Sequence, residues 1–139
     1  MQRKTRQRSA VMRVLEGAQG PLSIEELHRL ARDWEPLLGL ATVYRHLKNL
    51  IQDGEVSEVH LPEQATRVEL TRKRHHHHFY CNSCHRVFDV EGTCPAAALD
   101  GATLPSGFSV ARHELTLYGL CSSCQQPLSG VPPMATRSQ

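Results

Sequence analysis

At 139 residues, with 16 basic and 14 acidic side chains, the chain can form one ordinary domain or two small ones, and its net charge of +2 does not by itself mark a nucleic-acid binder. No apolar stretch approaches the roughly 20 residues that cross a bilayer, which argues against a membrane role. The basic segment Met1 to Leu15 lacks the apolar core and cleavage site of a signal peptide, so the five cysteines read as thiols of a reduced, cytoplasmic protein rather than as a secreted disulfide scaffold.

In chain order, Val11, Val14 and Leu15 recur at helical spacing within Thr5 to Glu16, and Gly17 and Gly20-Pro21 stop that helix. Arg3, Lys4, Arg6, Arg8 and Arg13 all precede Glu16, as either a basic contact face or a solvated helix start. Ser23-Ile24-Glu25-Glu26 has the capping-box pattern of a second helix whose apolar stripe is Leu27, Leu30 and Ala31. A third helix is predicted from Ala41 to Asp53, with Val43, Leu47, Leu50 and Ile51 on its apolar face and Thr42, Arg45, His46, Lys48, Asn49 and Gln52 on the others. Such a polar face suits a major groove, although many surface helices share it. Glu55 to Leu61 and Thr66 to Leu70 alternate about Pro62-Glu63-Gln64-Ala65 as a hairpin, and three helices followed by a hairpin is the winged-helix arrangement.

Composition changes at Arg72 to Arg74. The predicted division is 1–72, a winged-helix domain; 73–124, a small α+β domain; and 125–139, a flexible tail rich in Pro, Ser, Gly and Thr. Strands are expected at His77 to Cys81, Val87 to Val90 and Phe108 to Tyr118, with a weak helix near Pro95 to Leu99. The fold class is α+β.

The chemistry is concentrated in the second half. Cys81-x-x-Cys84 and Cys121-x-x-Cys124 supply four soft thiolates, the donor set of a closed tetrahedral Zn²⁺ site. A redox motif of thioredoxin type would need one such pair at a strand-to-helix turn. With three Phe, three Tyr and one Trp in the chain, about 10 kcal/mol of folding free energy from zinc would matter here. The run His75 to His78 is then surplus to the structural ion. In an extended strand His76 and His78 point one way and His75 and His77 the other, so two further sites can share the strand. Glu69 and Asp89 bracket the run; imidazole with carboxylate suits Zn²⁺, Fe²⁺ or Mn²⁺, while lone acids near a domain joint are commonly just solvated. Catalytic patterns are missing. His113-Glu114 is followed by Leu117 where H-E-x-x-H needs histidine, no His-x-Glu precedes a Pro-Cys-x-x-Cys, and no glycine loop cradles phosphate, so an enzyme is not expected.

Gly39-Leu-Ala-Thr-Val-Tyr-Arg-His-Leu47, the histidine run before Cys81-x-x-Cys84, and His113-Glu-Leu-Thr-Leu-Tyr-Gly-Leu-Cys121 together resemble the ferric uptake regulator family over about residues 3 to 124. The resemblance implies a homodimeric, metal-dependent transcriptional repressor that binds a pseudo-palindromic double-stranded DNA operator and dimerises through its C-terminal domain. It implies DNA contacts from Tyr44 and Arg45 on the recognition helix, beside Thr42, and from Arg3 near the minor groove or backbone. It implies structural zinc on Cys81, Cys84, Cys121 and Cys124. A regulatory divalent metal is implied at Glu69, His76, His78 and Asp89, and a third site involves His75, His77 and His113.

Two positions depart from the family pattern. Pro21 stands where the iron and peroxide regulators usually supply a histidine, leaving Glu58 or His60 of the wing as substitutes of suitable chemistry. Ala96 stands where a glutamate usually completes the third site, with Cys94 nearby as a spare thiol or a soft replacement ligand. These departures lean toward zinc as the sensed metal. Iron, manganese or peroxide sensing are the alternatives within the family, and a zinc-stabilised storage or interaction module is the alternative outside it.

Overall fold

In the computed structural model, which describes residues 2–125, three helices and a three-stranded sheet precede a second three-stranded sheet, an α+β architecture. The expected flexible tail falls almost wholly on residues 126–139, outside the described residues.

Helix α1 (Gln2–Gly17) starts before the sequence reading placed it, and buries Gln7, Ala10, Val11, Val14 and Leu15. Strand β1 (Leu22–Ser23) leads into α2 (Ile24–Ala31). The capping box forms: the Glu26 N–H donates to Ser23 Oγ at 3.2 Å and the Ser23 N–H to Glu26 Oε2 at 2.8 Å, satisfying two donors that a helix start otherwise leaves open. Helix α3 (Leu40–Gln52) closes at Asp53, and Gly54, at φ +73°, turns the chain where a side chain would be strained. Strands β2 (Val56–Val59) and β3 (Arg67–Leu70) pair antiparallel, with β1 on the far edge of β3. Leu15, Leu27, Leu50, Val11, Val43 and Val68 are all less than 2 % exposed, or at that limit, so α1, α2, α3 and the sheet close over one core. Each such side chain contributes about 1.5 to 3 kcal/mol of burial.

The second sheet is β5 (Val87–Val90), β4 (His77–Cys81) and β6 (Thr116–Gly119) in that spatial order, with β4 antiparallel to β5 and parallel to β6. Its apolar core is small. Tyr80 and Val87 pack with Val59 and Leu61, which belong to the wing and the turn after it. The expected strand Phe108 to Tyr118 shrinks to its last part. Residues 108–115 carry the isolated bridge Thr103 to Ser109 and scattered backbone bonds, such as Leu104 N–H to the Phe108 carbonyl at 2.8 Å and His78 N–H to the Leu115 carbonyl at 3.3 Å, while continuous pairing along the β4 edge is with 116–119.

Beside that apolar cluster, backbone and side-chain hydrogen bonds join the two sheets without metal. The Asp89 N–H donates to the Gln19 carbonyl at 2.7 Å. Gly20 lies so close to β5 that a Cβ would overlap the Val87 carbonyl oxygen and sit 2.7 Å from Phe88 Cα. Buried Arg67 donates to Glu26 Oε2 at 2.9 Å and to the carbonyls of Pro21 at 3.3 Å and His85 at 3.0 Å. Pro21, which stands where a histidine is usual in the family the sequence resembles, is thus held through its carbonyl by Arg67 and through Gly20 against β5. Gly20→Ala is expected to push β5 away by more than a side-chain adjustment can absorb, and to speed exchange of the Asp89 amide with little change in that of α2 and α3. An unchanged Asp89 amide would count against this joint.

Candidate metal centre

The four paired cysteines converge although residues 85–120 separate the pairs. One sulfur from each lies within 4.8 Å of the others, with Cys84 Sγ and Cys121 Sγ 3.9 Å apart. The Cys121 N–H donates to Cys81 Sγ at 3.3 Å. That bond and the Cys84 amide pull the Cys81 thiol down to about 6, so it is poised as a thiolate. Cys124 goes the other way, to about 11: the Ser83 hydroxyl favours its thiolate but is outweighed by the crowding thiol of Cys121, by desolvation and by the other two cysteines. Four negative sulfurs cannot crowd together without a cation, and opposed shifts within one cluster are the mark of that repulsion. All five cysteines are free thiols. The donor set fits Zn²⁺.

The histidine run splits as strand alternation requires. On one face His76 and His78 meet Glu69 from β3 and Asp89 from β5, each giving one atom to a cluster within 4.8 Å. His76 Nε2 is 3.1 Å from both Glu69 oxygens and His78 Nε2 is 3.2 Å from Oε2. The His76 Nδ1–H donates to the Arg74 carbonyl at 2.7 Å, which turns Nε2 toward the carboxylates. Asp89 Oδ1 is buried without a hydrogen-bond partner, 3.6 Å from His76 Nε2 and 3.8 Å from His78 Nε2. An orphaned carboxylate oxygen facing two imidazoles is donor chemistry that suits a cation. Burial disfavours charge on Glu69 and on His76. Their mutual attraction, together with His78 for Glu69 and the Arg74 carbonyl for His76, outweighs it, so Glu69 titrates below and His76 above the ordinary value.

A cation already reaches this site. Lys73 Nζ lies 2.6 Å from Asp89 Oδ2 and 3.7 Å from Glu69 Oε2, with its side chain four-fifths buried. Lys73 lies within the composition change at 72–74, and nothing in its local sequence marks this role. Its ammonium neutralises the carboxylate pair from within the chain and competes with any added cation. Lys73→Met is expected to tighten divalent-metal binding here about tenfold, the effect of roughly 1.4 kcal/mol of removed repulsion, measured by competition with a chromophoric chelator. Equal or weaker binding would rule out competition.

Glu58 and His60 pair with each other at 3.5 Å and line one cavity with Glu69, His76 and His78, but neither enters the four-donor cluster. On the opposite face of β4, His75, His77 and His113 gather with Cys94, while Ala96 offers no donor.

The helical half presents a basic groove of about 450 Å³ between α1 and α3, lined by Arg3, Lys4, Gln7, Thr42, Arg45, His46 and Asn49. Tyr44 is exposed, and Arg45 Nη2 donates to Thr42 Oγ1 at 3.0 Å. His46 corrects the sequence reading, which set it on the polar face of the helix. It is buried at the groove floor with Nε2 unpartnered, and burial followed by Lys4, Arg45 and Arg8 lowers its pKa, which favours a neutral imidazole.

The family model described as "Ferric uptake regulator family" matches residues 2–118. The "Ferric uptake regulation protein" of Bacillus subtilis (strain 168) is 32 % identical over 124 residues, covering 86 % of this chain and 83 % of the relative. Among solved structures, a "zinc-bound manganese uptake regulator" aligns with a TM-score of 0.72 at 25 % identity, covering 83 % of this chain and 87 % of the other. The Campylobacter jejuni peroxide stress regulator aligns at 0.62 and 26 %, covering 88 % and 92 %. No described helix is long and apolar enough to cross a membrane.

Proposed function

From a chain that belongs to the ferric uptake regulator family, we propose a zinc-sensing, DNA-binding transcriptional repressor that acts as a homodimer. The named relatives are a ferric uptake regulation protein, a zinc-bound manganese uptake regulator and a peroxide stress regulator, so the metal must be argued from the site. One observation carries zinc: the joint cluster offers four donors, two imidazoles and two carboxylates, and Pro21 has no donor side chain to add a fifth. Four donors match tetrahedral Zn²⁺, whereas Mn²⁺ favours an octahedral oxygen-rich shell.

In this reading residues 1–72 bind the operator and 73–124 form the dimerising, metal-binding unit, with Cys81, Cys84, Cys121 and Cys124 holding structural zinc. When bound, the regulatory ion supplies the positive charge that neutralises Glu69 and Asp89 and coordinate bonds that join β3 of the wing to β4 and β5. Glu69, His76, His78 and Asp89 would hold the ion and so link the wing to the second sheet, and Lys73, whose ammonium lies against the same two carboxylates, would compete with it. Arg3, Thr42, Tyr44 and Arg45 lie on the helical half that this joint orients, so two copies can present α3 to successive half-sites. A differential of about 1 to 3 kcal/mol between oriented and free arrangements suffices for regulation.

Operator retardation titrated against buffered Zn²⁺, Fe²⁺ and Mn²⁺ tests the reading. Zinc is expected to promote binding at the lowest free concentration. Promotion by Fe²⁺ or Mn²⁺ first would reassign the metal, and metal uptake without any effect on DNA would leave a storage module.

A further inference from the structure

Among the residues that hold the second sheet to the helical half, Arg67 also reaches the thiol site. It lies in β3 of the wing and is 6 % exposed. Its Nη1 donates to Glu26 Oε2 of α2 at 2.9 Å and to the Pro21 carbonyl at 3.3 Å, and its Nη2 to the His85 carbonyl at 3.0 Å. One nitrogen thus serves the helical half and the other the first cysteine turn. Glu26 balances the charge and is itself fixed by the Ser23 N–H in the capping box. The guanidinium is therefore set in place by the helical half, and its planar fork points the remaining donor in a fixed direction.

His85 follows Cys84 directly and closes the first thiol turn. Its N–H donates to the Cys81 carbonyl at 2.9 Å, its carbonyl accepts from Arg67, and its Nδ1 lies 2.8 Å from the Tyr80 hydroxyl oxygen. It also stands at φ +60°, a left-handed conformation that favours glycine and that a histidine keeps only when its surroundings hold it. Within the same turn the Ser83 and Cys84 amides donate toward Cys81 Sγ, so the seating of the turn decides where two of the four sulfurs stand.

We propose that Arg67 is a positioning residue of the four-cysteine ion: a cation contributed by the helical half that seats the His85 carbonyl and so fixes Cys81 and Cys84 for coordination. The inference rests on the reading that those cysteines hold zinc. Arg67 touches no ligand atom and acts through the backbone of the turn, as outer partners of a metal site orient its ligands. Coupling of this kind is reciprocal, so the bound ion in turn steadies the carbonyl against which the wing is braced. The thiol-bound ion thereby bears on the placing of the helical half as well as on the integrity of the second sheet.

The test follows, in the full chain, the zinc equivalent that Cys121→Ser lacks, by competition with a chromophoric chelator. Arg67→Met is expected to weaken its retention about 10- to 100-fold and to speed exchange of the His85 amide, while α1, α2 and α3 keep the parent's protection in excess zinc. Arg67→Lys keeps a charge for Glu26 but has one nitrogen in place of two. It is expected to weaken zinc in the same direction with the helical half intact, which guards against misfolding of the methionine variant. Val59→Ala removes apolar packing between the sheets and leaves the Arg67 side chain in place, and a smaller loss is expected there than in Arg67→Met. Parent-like zinc affinity in Arg67→Met or Arg67→Lys, or an equal loss in Val59→Ala, would overturn the proposal. If the parent holds no more zinc than Cys121→Ser, the reading of the four cysteines itself fails, and the proposal with it.

Discussion

Cys121→Ser is expected to unfold the second sheet while the helical half stays folded, the largest single effect foreseen for this chain. A structural zinc contributes about 10 kcal/mol or more, comparable with the whole net stability of a domain. The second sheet has little to set against that loss. Among the described residues beyond 73 the buried side chains are His77, Tyr80, Cys81 and Val87, and Tyr80 and Val87 borrow Val59 and Leu61 to complete their cluster. The helical half has its own core from Ala10 to Leu70 and needs no ion to close. Amide exchange read segment by segment should therefore show β4, β5 and β6 losing protection while α1, α2 and α3 keep theirs, with zinc content falling in parallel. A Cys121→Ser protein with full protection in β4 would show that the four thiols hold nothing together.

Local rules made much of this fold legible. The Ser23 and Glu26 box forms because its two bonds depend only on residues three apart. The two faces of the histidine run separate because strand alternation is independent of tertiary context. What periodicity could not supply was the neighbour across space. His46 reads as polar on α3, but α1 packs over it, as the groove lined by Lys4 and Gln7 shows. Residues 108–115 alternate well enough for a strand yet carry scattered backbone bonds rather than continuous pairing, since pairing is a property of two segments. Gly20 and Lys73 gain their roles from β5, which lies far along the chain from Gly20 and brings Asp89 to Lys73. Cys94 was left open between spare thiol and ligand because its distance to His77 and His113 depends on how an irregular segment returns to β4.

Replacing His76 and His78 together by alanine is expected to abolish metal-dependent operator binding, a loss of at least about 100-fold in the metal response, while the dimer and both sheets persist. The two imidazoles are part-buried and lie outside both apolar clusters, so their loss opens the joint without removing core. The same residues predict a pH dependence whose sign follows from their shifts. His76 titrates above its usual 6.5, so below that raised value it carries a proton that added metal must displace, and metal affinity falls as pH drops. In the metal-free protein the pair works in reverse. His76 contributes stability that is complete below pH 6.5 and lost as pH rises through its raised value, whereas Glu69, depressed from 4.5, contributes stability complete above 4.5 and lost as pH falls through its lowered value. The apo joint is thus firmest in the mildly acid range between those two limits, and metal takes over as pH rises and His76 gives up its proton. Zinc affinity of the joint measured from pH 6 to 8 should climb with pH in the parent, and neither that climb nor operator binding should survive in the double variant. A double variant that still grips its operator in response to zinc would place the regulatory ion on other residues, with Glu58 and His60, which line the same cavity, the first to examine.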